Sequence, residues 1–89
     1  MEVIYAPQTI DDINYWKRSG NKAIQKKIEQ LILAIQANPF EGIGKPEQLR
    51  HELAGSWSRR INREHRIIYE VYENDNIVIL EIQSVRGHY

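Results

Sequence analysis

No cysteine occurs among the 89 residues, so neither a disulfide nor a thiolate metal site can form, a composition that suits a reducing compartment and a cytoplasmic location. No apolar run approaches the roughly 20 residues needed to span a bilayer. The opening MEVIYAPQ lacks the basic start and apolar core of an export signal, so neither membrane insertion nor export is expected. Net charge is missing as well. Twelve basic side chains balance twelve acidic ones, which argues against indiscriminate coating of nucleic acid, since that binding depends on neutralising many phosphates. There is no repeat, low-complexity stretch or linker, and residues 1–89 read as a single domain. A chain of this size buries only about 60 to 65 per cent of the surface its unfolded form exposes, so the core is small.

What is present is an uneven distribution of that balanced charge. Between Lys45 and Arg66 stand Lys45, Arg50, Arg59, Arg60, Arg63 and Arg66 against Glu47, Glu52 and Glu64, a local balance of +3. Residues 67–89 set Arg86 against Glu70, Glu73, Asp75 and Glu81, a balance of −3. Two readings fit residues 45–69 at this level: a basic face aimed at phosphates, or an antiparallel hairpin with a solvated charged face.

Residues 2–6 form a short β-prone run ended by Pro7, expected as a strand beside others. Thr9 followed by Asp12 has the spacing of an N-terminal capping pair, and Ile10, Ile13 and Trp16 recur at helical spacing up to Ser19 and Gly20. A second helix is expected from about Asn21 to Asn38, with Ile24, Ile28, Leu31, Ile32 and Ile35 as its apolar stripe. The segment PFEGIGKP, with two prolines and two glycines, admits neither helix nor central strand. In residues 56–61, Trp57, Arg59 and Ile61 share one face and Ser56, Ser58 and Arg60 the other, so Arg59 and Arg60 diverge. Residues 66–72 form the return strand of a hairpin, and the apolar run 77–82 suits a third strand covered on much of both faces. The expected fold is α+β: an N-terminal strand, two helices, then an antiparallel three-strand meander with the helices on one face of the sheet.

Three residue types could carry chemistry on the open face. Glu47 follows Pro46, whose ring stiffens the segment that delivers the carboxylate and restricts Lys45. Arg66 opens a strand with a guanidinium fork suited to phosphate. His88 has an imidazole whose ordinary pKa near about 6.5 suits proton transfer. His51, His65 and His88 match no compact metal motif, and there is no Gly-rich phosphate loop or nucleophile elbow; no cofactor is expected. An acid, a histidine and arginines suit RNA cleavage in which the substrate supplies its own nucleophile, the 2′-hydroxyl.

The string NPFEGIGKPEQLRHELAGSWSRRINREHRIIYEV, with a chain ending in HY, resembles the YoeB-like (Txe) toxins of the RelE superfamily. Ile10-Asp11-Asp12 through Trp16 is similar to that family's WDD-x-x-x-W. The resemblance implies a RelE-like fold and the toxin of a type II toxin-antitoxin pair, a ribosome-dependent endoribonuclease that cuts mRNA in the A site without a metal. It implies a YefM-like (Axe) antitoxin as partner and a tendency to homodimerise. By position it implies Glu47 as general base, Arg66 as transition-state arginine and His88 as general acid. Lys45, Arg50, Arg59, Arg60 and Tyr89 would contact RNA, Tyr89 by stacking; Arg50 stands where the family usually has lysine. The alternatives are ribosome-independent cleavage of RNA, or a non-catalytic binding toxin like the gyrase-inhibiting ParE toxins. This chain is longer than the family between Arg66 and His88, with an enlarged turn at residues 72–76 and a longer ending in EIQSVRGHY. An odd-residue shift there would reverse the face that His88 meets.

Overall fold

The computed structural model of the chain describes residues 2–72 and 76–84, the side chains of Glu52 and Ser84 excepted. Strand β1 spans Val3–Tyr5, followed by helices α1 (Pro7–Ser19) and α2 (Lys22–Ala37), and then by strands β2 (Glu47–Gln48), β3 (Trp57–Arg60), β4 (His65–Val71) and β5 (Ile77–Ser84). The strand order is β1-β5-β4-β3-β2. β3, β4 and β5 form the expected antiparallel meander. β1 pairs with β5 in parallel, and β2, which no sequence pattern marked, adds a short antiparallel strand to β3.

Helix α2 follows its sequence signals. Asn21 caps it by accepting a hydrogen bond from the Ile24 amide at 3.1 Å, and the stripe of Ile28, Leu31 and Ile35 is buried against Ile61, Ile67, Tyr69, Ile77 and Ile79. Helix α1 starts two residues before the expected capping pair, with Pro7 in its first turn and no side-chain cap. Thr9 and Asp12 are used otherwise. The Thr9 hydroxyl donates to the Ile79 carbonyl at 2.6 Å, and Asp12 Oδ2 accepts from the Ile82 amide at 2.9 Å. Lying three apart on one face of α1, they satisfy backbone groups of β5 just where β1 has ended, and so close the sheet edge. Gly20 ends the helix in the left-handed conformation (φ 73°).

The loop from α2 to β2 approaches the core closely. At Gly44 (φ +84°) an added Cβ would lie 2.7 Å from Leu31 Cδ2, so only glycine fits both the backbone angle and the space. Lys45 follows with φ 51°, a left-handed conformation that a proline at the next position disfavours. The turn into Glu47 is thus a tightly specified backbone, different from the extended Lys45 that its proline neighbour suggests.

Candidate active site

Pairing across the sheet fixes which side chains share its open face, because residues directly opposite on antiparallel strands point the same way. Glu47 lies opposite Ser58, Ser58 opposite Ile68, and Ile68 opposite Glu81. The next row on this face runs Arg60, Arg66, Gln83. Glu47 and Arg66 are therefore two strands and one row apart, a Cα separation of about 12 Å from ordinary strand spacing and rise. On this face Ser58 and Ile68 are buried, while Glu47 and Arg60 are exposed. Arg60 directly opposite Arg66 puts two cations side by side, an unfavourable pair unless an anion joins them.

Arg66 is held in place. Its Nε and Nη2 both donate to Gln83 Oε1, at 2.9 and 2.6 Å. A neutral amide orients the guanidinium without cancelling its charge, and Nη1 takes no part in the contact. Gln83 faces Arg66 because of a bulge. Ile68 pairs with Glu81 but Tyr69 with Ile79, so Leu80 is an extra residue in β5. Without it the parity set by the buried Ile77 and Ile79 would turn Gln83 towards the helices; with it, Ile82 packs on the core and Gln83 faces the open side.

Arg59, expected to contact RNA, is fully buried on the helix side of β3. Its guanidinium donates to the Asn38, Glu41 and Ile43 carbonyls and to the Tyr69 hydroxyl. Buried and bonded to three carbonyls of residues 38–43 and to Tyr69, the guanidinium is turned away from the open face, so the assignment is corrected: Arg59 anchors the loop that leads to Glu47, and the alternation of the strand explains why its neighbour Arg60 is exposed instead. Tyr69 completes the anchor by donating to the buried Pro39 carbonyl at 2.6 Å.

Burial raises the pKa of the Tyr69 phenol above its usual 10, against the lowering effect of Arg59. A group whose folded pKa is raised contributes stability that is intact below the unfolded value near about 10 and lost as pH rises through the folded one. Denaturation midpoints are therefore expected to fall above about pH 10, and Tyr69→Phe is expected to abolish that component while costing about 1–3 kcal/mol at neutral pH through the unpartnered Pro39 carbonyl. Denaturant titrations of both proteins at pH 7 and in alkali check this.

Lys45, Glu47, Arg50 and Arg60 are all exposed. Arg50 stands just before a 3-10 turn, His51–Leu53, two residues past the end of β2. His88 and Tyr89 lie outside the described residues. Among the described residues no group of three or more His, Asp or Glu side chains could hold a metal ion, and no helix is long and apolar enough to cross a membrane. Sequence reasoning missed Gln83 and Tyr69. A glutamine in an apolar strand carries no chemical signature of its own, whereas a tyrosine two residues from Ile67 on the core face was visible as a buried hydroxyl needing a partner.

The profile of the YoeB-like toxin of the bacterial type II toxin-antitoxin system matches residues 5–89. Toxin YoeB of Escherichia coli K12 is 45% identical over 89 residues, which cover 100% of both chains. The solved YoeB/ParE toxin from Agrobacterium tumefaciens superposes with a TM-score of 0.88 at 34% identity, covering 100% of each chain. A Staphylococcus aureus relative, solved in a YoeB-YefM complex, gives a TM-score of 0.81 at 42% identity over 93% of this chain and 94% of that one, and a YoeB dimer from the same organism gives a TM-score of 0.81 at 39% identity over the same shares. With a RelE-like sheet, a full-length family match and relatives alike from end to end, this chain belongs to the YoeB-like toxins of bacterial type II toxin-antitoxin systems.

Proposed function

We propose that the protein is a ribosome-dependent endoribonuclease that cuts mRNA in the A site by general acid and base catalysis. The observation that carries this reading is the register that sets Glu47, Arg60 and Arg66 on one face of the sheet, with Gln83 orienting Arg66. The Glu47 carboxylate accepts the proton of the 2′-hydroxyl, and the freed oxygen attacks the adjacent phosphorus. Arg66 meets the charge that grows on the non-bridging oxygens. His88 gives a proton to the departing 5′-oxygen, which leaves a 2′,3′-cyclic phosphate on the upstream fragment. Lys45, Arg50 and Arg60 hold neighbouring phosphates and Tyr89 stacks on a base. Mapping of mRNA ends by primer extension, on programmed ribosomes and on naked RNA, tests the ribosome dependence. Cleavage of both at the same rate would contradict it, and growth arrest with intact mRNA would favour a non-catalytic toxin.

Gln83 acts through Arg66. Gln83→Ala is expected to slow cleavage about tenfold, within the range set by misplacing rather than removing a catalytic group, and to add little to the loss caused by Arg66→Ala. Single-turnover rates of the two variants and their combination check the coupling; additive losses would mean that Gln83 acts independently.

The cognate partner in this reading is a YefM-class antitoxin that lays an acidic or amphipathic segment over the basic face and competes with RNA, and a homodimer is the assembled form of the free toxin. Co-expression with the neighbouring antitoxin reading frame is expected to relieve growth arrest, and Arg60→Glu, by reversing charge on that face, to weaken the rescue. Colony counts with and without antitoxin induction measure it.

A further inference from the structure

Where β3 turns into β4, a cavity of about 520 Å³ is lined by Lys27, Lys45, Arg60 and Arg63 together with Gly44 and Asn62, and by no carboxylate among the described residues. Four separate parts of the chain deliver these cations: α2 carries Lys27, the loop into β2 carries Lys45, the end of β3 carries Arg60 and the β3–β4 turn carries Arg63. The backbone that presents them is well tied. The Gly44 carbonyl accepts from the Arg60 amide at 2.7 Å, and Asn62 Oδ1 accepts from the Glu64 and His65 amides at 2.8 and 2.9 Å, shaping the turn that holds Arg63. Four like charges around one cavity repel one another, and a bound anion relieves that repulsion.

The cavity is continuous with the cleavage face yet separate from its chemistry. Arg60 lies directly opposite Arg66, and Lys45 is two residues before Glu47, while Lys27 and Arg63 have no place in the proposed reaction. We infer that this cavity binds backbone phosphates of the RNA strand beyond the cleaved step, with Lys27 and Arg63 supplying affinity and register. The inference rests on the RNA-cleaving reading for its ligand. Neither residue touches the reacting atoms, and both are binding residues only.

The test uses the full chain and a 2′-O-methyl RNA, which lacks the nucleophile and cannot be cleaved, so that binding is read without chemistry. Fluorescence anisotropy at several KCl concentrations compares the wild type with the K27Q/R63Q double variant and with R18Q/K22Q, which removes the same charge from another part of the surface. For a strand of about ten nucleotides, K27Q/R63Q is expected to weaken binding at least tenfold at low salt and to make the slope of log affinity against log salt shallower by about 1.4, the loss of two single-strand phosphate contacts. R18Q/K22Q is expected to bind nearly as the wild type does, and a 2′-O-methyl dinucleotide to bind all three alike. Thermal midpoints within a degree or so of the wild type exclude misfolding as the cause. An unchanged slope, equal weakening by both double variants, or no measurable binding by the wild type overturns the inference. Persistent cleavage by Glu47→Gln would instead remove the catalytic reading and leave this binding result standing.

Discussion

Arg59→Met is expected to destabilise the protein by about 3–5 kcal/mol, since removing a buried hydrogen-bonded charge leaves its partners unsatisfied. The carbonyls of Asn38, Glu41 and Ile43 and the Tyr69 hydroxyl all lose the same donor. The loop of residues 38–44 has further ties, from the Tyr69 hydroxyl to the Pro39 carbonyl and from the Arg60 amide to the Gly44 carbonyl, but none of them serves the carbonyls that Arg59 holds. Phe40 rests on Trp57 with ring centroids 5.2 Å apart, and Gly42 is packed so close to the guanidinium that an added Cβ would stand 3.1 Å from Nη1. Arg59→Lys should recover only a small part of the loss, because a single ammonium on a flexible stem cannot serve acceptors spread along six residues. The same change reaches the site. Residues 38–44 end in the strained Gly44 and Lys45 turn that delivers Glu47, so cleavage is expected to fall with stability in Arg59→Met. Chemical denaturation gives the first number and hydrogen exchange of residues 38–48 the second. Unchanged protection of that loop would show that Arg59 does not anchor it.

The largest kinetic effects are expected at Glu47 and Arg66. Loss of a general base costs about 10²- to 10⁴-fold in rate, and loss of a preorganised donor to the developing charge costs about 10²- to 10³-fold. Both side chains are on the open face, away from the core formed by α2 and the other side of the sheet, so Glu47→Gln and Arg66→Ala are expected to fold with thermal midpoints close to the wild type. That separation distinguishes them from Arg59, whose removal affects folding and cleavage together. Substitution at Arg66 should lower the rate at saturating RNA more than it lowers affinity, because Arg60 and Lys45 remain in the proposed reading to hold neighbouring phosphates. Arg66→Lys should restore charge without the forked geometry that Gln83 orients, and so rescue only in part.

Much of this arrangement was legible in the sequence, and the gaps have physical causes. The apolar stripe of α2 and the glycine and asparagine at helix ends specify local structure, and the structure follows them. Helix α1 began earlier than expected because Thr9 and Asp12, which have the spacing of a cap, are drawn into hydrogen bonds with β5 some 70 residues away in sequence; local pattern cannot see a distant partner. Strand β2 has two residues and no periodicity to detect. The bulge at Leu80 is hidden because the run Ile77 to Ile82 is apolar at almost every position, so the pattern does not change when the parity does. For Arg59 the face was read correctly and the role was not: charge and motif suggested phosphate, whereas the alternation that separates it from Arg60 already directed it into the core. The carboxylate at Glu47 and the fork at Arg66 were singled out because chemistry restricts the residue types that can do the work proposed for them. Gln83, which only positions another side chain, could be any of several residues on chemical grounds and became visible through the register alone.

In the proposed reaction the open face of the sheet cleaves RNA with Glu47 as base and Arg66 as the partner of the transition state. Single-turnover cleavage of mRNA on ribosomes with a defined A-site codon, with the new ends mapped and their chemistry identified, tests it most directly when wild type and Glu47→Gln are compared. The wild type is expected to make a single cut within the A-site codon and to leave an upstream fragment ending in a 2′,3′-cyclic phosphate, with a rate at least about 10²-fold lower for Glu47→Gln. A Glu47→Gln protein that is well folded and cleaves at the wild-type rate, or a wild type that leaves the mRNA intact, would contradict it.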